Sequence, residues 1–309
     1  MLAVEIGFGD VKVIGEGIKM KFPTVLAYGG NGILKGWDKE DGSYLFNGKR
    51  YFVGKEALGH PEMFSNRTPE FLIEFGPLFL YKAFKESGIK PDIVALGLAV
   101  GYYSRKDTLA RKVFSFDVNG EKITLLECSI FPQAVGIWLD WSSSNHSKGN
   151  YMVLDIGFNT VDVVFVKEGN VSRDGSWMLE GEGMIKVVNY LSDLIQEKIG
   201  VGLIPHTAKW LLEKKSLTVY GKERNLEKII SKLSSTYAER LFSVLEERCG
   251  ERLKHLDGII LGGGGAYYIR DFIPRRLRNL TIVMEEPEFS NARGFYKTLK
   301  TKEGEKHEN

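Results

Sequence analysis

Two acid-led glycine bends and one glycine cluster are the places in this 309-residue chain where chemistry could be done. In the middle of the chain, the apolar run Tyr151–Leu154 leads into Asp155. Gly157, Phe158, Asn159 and Thr160 follow, and Asp162 lies inside a second β-rich run, Val161–Val166. Val, Ile and Phe on both sides favour strands, and a Gly/Asn pair between them favours a hairpin bend. Unhindered N–H groups at such a bend can face an anion. A carboxylate at the end of the first strand can hold a hard cation or orient a water. An ordinary hairpin with a small-residue bend is the alternative reading, since short motifs recur by chance.

The opening of the chain repeats this design. Ala3, Val4, Glu5 and Ile6 lead into Gly7-Phe8-Gly9-Asp10, and Val11, Lys12, Val13 and Ile14 follow. The tripeptide Ile-Gly-Phe recurs as Ile6–Phe8 and Ile156–Phe158, each time after an acid. The repeat implies two related halves, each starting with a hairpin. The third place is Gly262, Gly263, Gly264 and Gly265, between the apolar run Leu256–Leu261 and a helix-like stretch. A strand–glycine–helix junction offers N–H groups and a positive helix end to a phosphate, or an open floor to a base and ribose. A tight turn would need only one or two glycines. The spacing is not that of a dinucleotide fingerprint.

The elements that must position these residues alternate between β and α. Ile18–Phe22, Thr24–Tyr28, Ser43–Phe46 and Arg50–Val53 read as strands, with turn signals at Gly29–Gly32 and Asn47-Gly48 and an exposed Trp37 between them. This suggests a small β-rich subdomain inserted at about 17–67. Thr68–Gly88 reads as a helix with Pro69 near its start, Gly88 past its end and a kink or break at Pro77. Asp92–Val100 reads as a strand buried on both faces. Arg105–Phe114 and Pro132–Ser142 read as helices and Lys122–Glu127 as a strand. The polar stretch Ser142–Gly149 is the expected boundary between halves. After it, Val171–Gly181 reads as β, and Met184–Lys198, Pro205–Lys215 and Glu223–Gly250 as helices. Tyr267–Leu277 reads as a helix, Leu280–Met284 as a strand and Glu288–Lys300 as a last helix. Residues 301–309 are almost wholly polar and are expected to be disordered.

Composition narrows the class. Hydrophobic residues make up 43% and charged residues 27%, the balance of a folded soluble chain. A net charge of +2 argues against a dedicated nucleic-acid binder. The apolar start is too short and too broken by Glu5 and Asp10 for a signal peptide, and no apolar run approaches the roughly 18 residues of a membrane helix. No membrane association and a cytoplasmic location are therefore expected. Cys128 and Cys249 form no metal or redox motif and read as reduced thiols. The histidines at 60, 146, 206, 255 and 307 show no metal-ligand spacing.

Two acid–glycine hairpins, one opening each half, plus a late strand–glycine–helix junction, resemble the ATPase superfamily of actin, heat-shock chaperones and sugar kinases. Within it the chain is most similar to prokaryotic actin-like proteins of the plasmid-segregation (ParM) type and their archaeal relatives. The residues that carry this are GFGDVKV at 7–13, GLAVGYY at 97–103, PQAVG at 132–136, DIGFNTVD at 155–162 and SNARGF at 290–295. The resemblance implies an α/β fold of two actin-like, ribonuclease H-like halves with mixed sheets flanked by helices and a nucleotide cleft between them. Residues 1–149 with the helix 287–300 would form the first half and 150–286 the second.

It also implies roles. Gly7, Gly9, Asp10 and Lys12 would belong to the first phosphate loop, with Lys12 as a point charge. Gly157, Asn159 and Thr160 would belong to the second, Gly183 would lie beside the ribose, and Gly262–Gly265 would form the adenosine loop. Asp155 would orient the attacking water or hold Mg2+ through water, and Gln133 would position that water; a polar residue opening a helix is an equal alternative for Gln133. Asp162 would be structural. Glu5 would join Asp155 and Gln133 as a catalytic residue and, with Asp155, hold Mg2+ through water; where the family pattern opens its first loop with Asp, Glu5 is one methylene longer, which alters metal and water geometry there. The implied activity is slow hydrolysis of ATP (or GTP) with Mg2+, coupled to self-association into filaments. A segregation role would need a DNA-bound adaptor protein as partner. A nucleotide-binding adaptor with little hydrolysis, which Glu5 favours, and a small-molecule kinase are the alternatives.

Overall fold

Leu2–Ile6 (β1) is buried at every position, as a central strand must be. The computed structural model of the protein describes residues 1–29, 42–145 and 148–308. Trp37, the turn signals at Gly30–Gly32 and His146 lie outside them. The chain forms two compact units, 1–145 with 289–309, and 146–288.

In the first unit β1, β2 (Asp10–Gly15) and β3 (Ile18–Pro23) make an antiparallel meander. β3 is thus the third strand of the main sheet, not the first of an insertion. The inserted sheet holds β4 (Leu26–Tyr28), β5 (Tyr44–Phe46), β6 (Lys49–Val53) and β7 (Met63–Phe64), in the order β5-β6-β4-β7. Helix α1 (Pro69–Ser87) follows. The Thr68 hydroxyl accepts from the Phe71 N–H, Pro69 opens the first turn, and Gly88 ends the helix at φ +69°. Pro77 does not break it.

Then come β8 (Ile93–Leu98), α2 (Lys106–Phe114), a ribbon of β9 (Ser115–Val118) and β10 (Glu121–Thr124), β11 (Glu127–Pro132) and α3 (Val135–Ser142). β8 and β11 run parallel to β1, giving the sheet order β11-β8-β1-β2-β3. Sequence reading ends the strand at Glu127 and starts the helix at Pro132. The chain instead spends Glu127–Pro132 as an edge strand paired with β8.

The second unit repeats this order. β12 (Tyr151–Ile156), β13 (Thr160–Lys167) and β14 (Asn170–Glu180) form the meander. Helices α4 (Ile185–Ile199) and α5 (Pro205–Lys214), the hairpin β15 (Ser216–Val219) and β16 (Lys222–Asn225), and helix α6 (Glu227–Leu253) intervene. The two-residue turn Tyr220-Gly221 has φ of +48° and +74°, a hairpin signal that the long-helix reading of 223–250 hid.

β17 (Gly258–Gly262) then joins β12 in parallel. The expected helix 267–277 is split by Pro274 into α7 (Ala266–Ile269), a 3-10 turn and α8 (Arg275–Arg278), before β18 (Thr281–Val283). The order β14-β13-β12-β17-β18 matches the first sheet strand for strand. Ile156, Val161, Val188, Leu241 and Leu261 lie in one apolar core on this sheet.

Helix α9 (Ser290–Glu308) belongs to the first unit, where Phe295 and Leu299 pack with Ala3 and Ala95. It does not stop near Lys300. The polar residues expected to be disordered continue it to Glu308, because Lys and Glu are good helix formers that need no core. No helix among the described residues is long and apolar enough to cross a membrane. Cys249 is buried, and burial pushes the Cys128 thiol up to about 12.

Candidate functional site

The two repeated hairpins have one backbone design. In the first, Glu5 faces Lys12 and Ile6 faces Val11 across β1 and β2. The Gly7 N–H closes the bend by donating to the Asp10 carbonyl at 3.1 Å. In the second, Asp155 faces Asp162 and Ile156 faces Val161, and the Gly157 N–H donates to the Thr160 carbonyl at 2.9 Å. The phenylalanine of each Ile-Gly-Phe anchors its bend on a ring. Phe8 meets Tyr102 edge-on at 6.2 Å, and Phe158 stacks on His206 at 6.1 Å.

The side chains behind the bends differ in charge. Glu5 is buried, and its carboxylate pairs with the Lys12 ammonium at 3.4 Å and accepts from the Asn291 amide at 3.4 Å. The corresponding pair in the second hairpin is acid against acid: Asp155 and Asp162 are both buried, and Asp162 accepts from the Thr160 hydroxyl at 3.0 Å. Two carboxylates thus stand directly opposite each other here, where the first hairpin sets a carboxylate against an ammonium.

Each bend is braced from behind. Thr24, fully buried, donates its hydroxyl to the Gly7 carbonyl at 2.6 Å and its N–H to the Gly9 carbonyl at 3.2 Å. In the second unit the start of α4 does this. The N–H groups of Gly183, Met184 and Ile185 donate to the carbonyls of Asn159, Gly157 and Phe158 at 3.2, 3.0 and 2.8 Å. A Cβ on Gly183 would lie 2.6 Å from the Gly157 oxygen, so this glycine is needed to let α4 reach the bend. In the sequence Thr24 stands out only as the first residue of the strand-like run Thr24–Tyr28. Its only local signal as a brace is a small hydroxyl residue after Pro23 at the end of β3.

The glycine cluster converges on the second hairpin. β17 places Gly262 beside Asp155, on the side of β12 opposite Asp162. Gly263, at φ +78°, lies so close that a Cβ there would sit 2.2 Å from the Asp155 carboxylate. Gly265 donates its N–H to the Ile156 carbonyl at 2.8 Å, and a Cβ on it would lie 2.2 Å from the Ile156 side chain. Gly264 is different. A Cβ there would meet nothing nearer than the Glu288 side chain at 3.8 Å. Two of these glycines are therefore explained by packing on β12, and Gly264 is not. Tyr267, just beyond the cluster, hydrogen bonds to Glu288; partial burial and that bond push its phenol up.

Gln133 lies in the first unit, buried at the junction of β11 and α3. Its N–H donates to the Leu98 carbonyl at 2.7 Å. The next residue, Ala134, has φ +64° and donates its N–H to the Asn291 side-chain oxygen at 3.0 Å. Glu5 and the Gln133–Ala134 turn are thus brought together through Asn291, which sequence reading noted only within SNARGF. In the first unit the structure assembles Glu5, Gly7, Gly9, Asp10, Lys12 and Gln133. In the second it assembles Asp155, Gly157, Asn159, Thr160, Gly183 and Gly262–Gly265.

Comparison with known proteins adds to this geometry. Residues 3–136 match the family described as the actin-like proteins N-terminal domain, and residues 153–274 match the C-terminal part of the archaeal actin homologue MreB-like family. No curated protein sequence matches significantly. Among solved structures, a 15-stranded ParM filament from Clostridium botulinum is 22% identical, with a TM-score of 0.79 over 97% of this chain and 98% of that one. An archaeal actin homologue solved with ADP is 19% identical, with a TM-score of 0.80 over 97% and 99%. Bacillus thuringiensis ParM with ATP is 16% identical, with a TM-score of 0.70 over 98% of each chain. At these identities the shared property is the fold: two lobes of mixed sheet flanked by helices.

Proposed function

Because the chain belongs to the actin-like superfamily, we propose that it is a nucleoside triphosphatase that binds Mg-ATP and assembles into filaments according to its nucleotide state. The observation that carries this reading is the convergence on Asp155 of the second hairpin and the glycine cluster. Gly264 supports it as well, being the one glycine of 263–265 where a Cβ would meet no more than an ordinary contact, the Glu288 side chain at 3.8 Å, so that packing does not account for it. The bends at 7–10 and 157–160 would receive phosphate oxygens through backbone N–H groups, because several of their carbonyls are taken up by Thr24 and by α4. Lys12, while paired with Glu5, brings its ammonium to the first bend, 3.1 Å from where a Cβ on Gly7 would stand.

Mg2+ fits the second hairpin, where Asp155 and Asp162 place two buried carboxylates side by side. When bound, the ion neutralises phosphate charge and keeps most of its waters. Asp155 would hold it through water and orient the attacking water. Gln133 would position that water, and Thr160 would keep the Asp162 carboxylate in place.

A second reading, a nucleotide-binding adaptor with little hydrolysis, is favoured by one observation. Glu5 is already engaged by Lys12 and Asn291, so its charge is largely spent within the protein. Phosphate release measured beside light scattering separates the two. Scattering that rises with Mg-ATP and decays as phosphate appears supports the filament-forming ATPase, whereas binding with neither response supports the adaptor. The Asp155→Ala variant is expected to bind nucleotide with turnover abolished. Normal turnover there would remove Asp155 from the catalytic role.

A further inference from the structure

Asn291 lies in the first turn of α9, buried, and its one amide serves two stretches far from it in sequence. The side-chain oxygen accepts from the Ala134 N–H at 3.0 Å, and the side-chain NH2 donates to the Glu5 carboxylate at 3.4 Å. Chemistry forces this orientation: a backbone N–H can meet only the oxygen of the amide, and a carboxylate only its NH2. Ala134 holds φ +64°, a conformation disfavoured for a residue with a Cβ, so the turn needs an outside partner to stay in place.

The helix that carries Asn291 is itself rigidly seated. Gly294 and Gly136 let α9 and α3 meet backbone to backbone, since a Cβ on Gly294 would lie 1.9 Å from the Gly136 oxygen. Arg293 and Lys297 both pair with buried Asp140 on α3 at 2.8 Å.

From this we infer that Asn291 is a positioning residue for nucleotide hydrolysis: it sets the Gln133–Ala134 turn at a fixed place relative to Glu5. The inference rests on the ATPase reading above. An aspartate at 291 would still accept from Ala134 but would press a second carboxylate on Glu5. An alanine would release both.

The test uses the full chain and measures ATP turnover beside amide exchange of the peptide containing Ala134. Asn291→Ala is expected to lower kcat by about 10- to 100-fold, the scale of a misplaced catalytic group, while KM for ATP stays within about threefold. Ala134 exchange should speed up in the same variant. Asn291→Asp should lower kcat in the Glu5 background, yet add little further loss in the Glu5→Gln background, where donor and acceptor are exchanged. Unchanged exchange at Ala134 in Asn291→Ala, a kcat equal to wild type, or equal losses from Asn291→Asp in both backgrounds would each overturn the role. Because Asn291→Asp keeps the Ala134 bond, it remains informative if Asn291→Ala fails to fold. Exchange is read whether or not the protein hydrolyses ATP, so absent wild-type turnover counts against the ATPase reading and not against the hold on the turn.

Discussion

Gly263 and Gly264 are neighbours of the same type with opposite physical reasons for being glycine. Gly263 sits at φ +78° against the Asp155 carboxylate and the Ile156 carbonyl, so any side chain there must displace backbone. A Cβ on Gly264 would make only an ordinary contact, with the Glu288 side chain at 3.8 Å. Gly263→Ala is therefore expected to lower stability by about 1–3 kcal/mol, the range of overpacking and backbone strain, read as a lower urea midpoint. Gly264→Val is expected to leave that midpoint within about 0.5 kcal/mol, as substitutions away from packed features do, and to weaken ATP binding in a titration. Equal ATP affinity in Gly264→Val would show that this residue is not part of the nucleotide floor. The pair was legible in sequence only as a run of four identical letters. Which of them serves packing depends on β12, whose residues lie more than a hundred positions earlier.

Among the elements, the contact of α3 and α9 decides whether the first unit is complete. PQAVG and SNARGF are separate motifs in sequence, and in the structure Gly136 of one meets Gly294 of the other. Helix axes can come this close only where both partners lack a side chain. Asp140, Arg293 and Lys297 then tie the same two helices by charge. Gly294→Ala should force them apart and lower stability by about 3 kcal/mol or more, since the obstruction is backbone and not a side-chain tip. Thermal unfolding by circular dichroism checks this, and a melting temperature equal to wild type would show that the helices reseat freely. Both helices were legible in sequence, the first from its broad apolar face and the last as the stretch that Pro287 leads into. Their mutual contact was not, because helical periodicity reports which face is apolar and not what covers it.

For the whole molecule, the consequence of the fold is that the last segment of the chain completes the first unit. Phe295 and Leu299 of α9 cover Ala3 and Ala95 on β1 and β8, while residues 301–305 are exposed. A chain ending at residue 288 should expose that apolar layer, lose the cooperative unfolding of the first unit and aggregate. A chain ending at 301 should unfold as the full chain does. Differential scanning calorimetry distinguishes the two, and a native-like transition in the shorter chain would mean that α9 is dispensable for the first unit.

By itself the sequence determined the two hairpins, their common Ile-Gly-Phe, the strand before the glycine cluster and most helices. Those features follow from local turn chemistry and from apolar residues spaced at two or 3.6, and a few neighbouring residues suffice to specify them. The duplication was visible for the same reason. Only the tertiary structure decided that β3 belongs to the main sheet, that Glu127–Pro132 is an edge strand, and that the polar end continues α9. It also decided which partner each buried acid has: Lys12 and Asn291 for Glu5, Asp162 and Gly262 beside Asp155. Sheet order and the company of a buried carboxylate are set by contacts between residues up to 286 positions apart, and no local pattern encodes them.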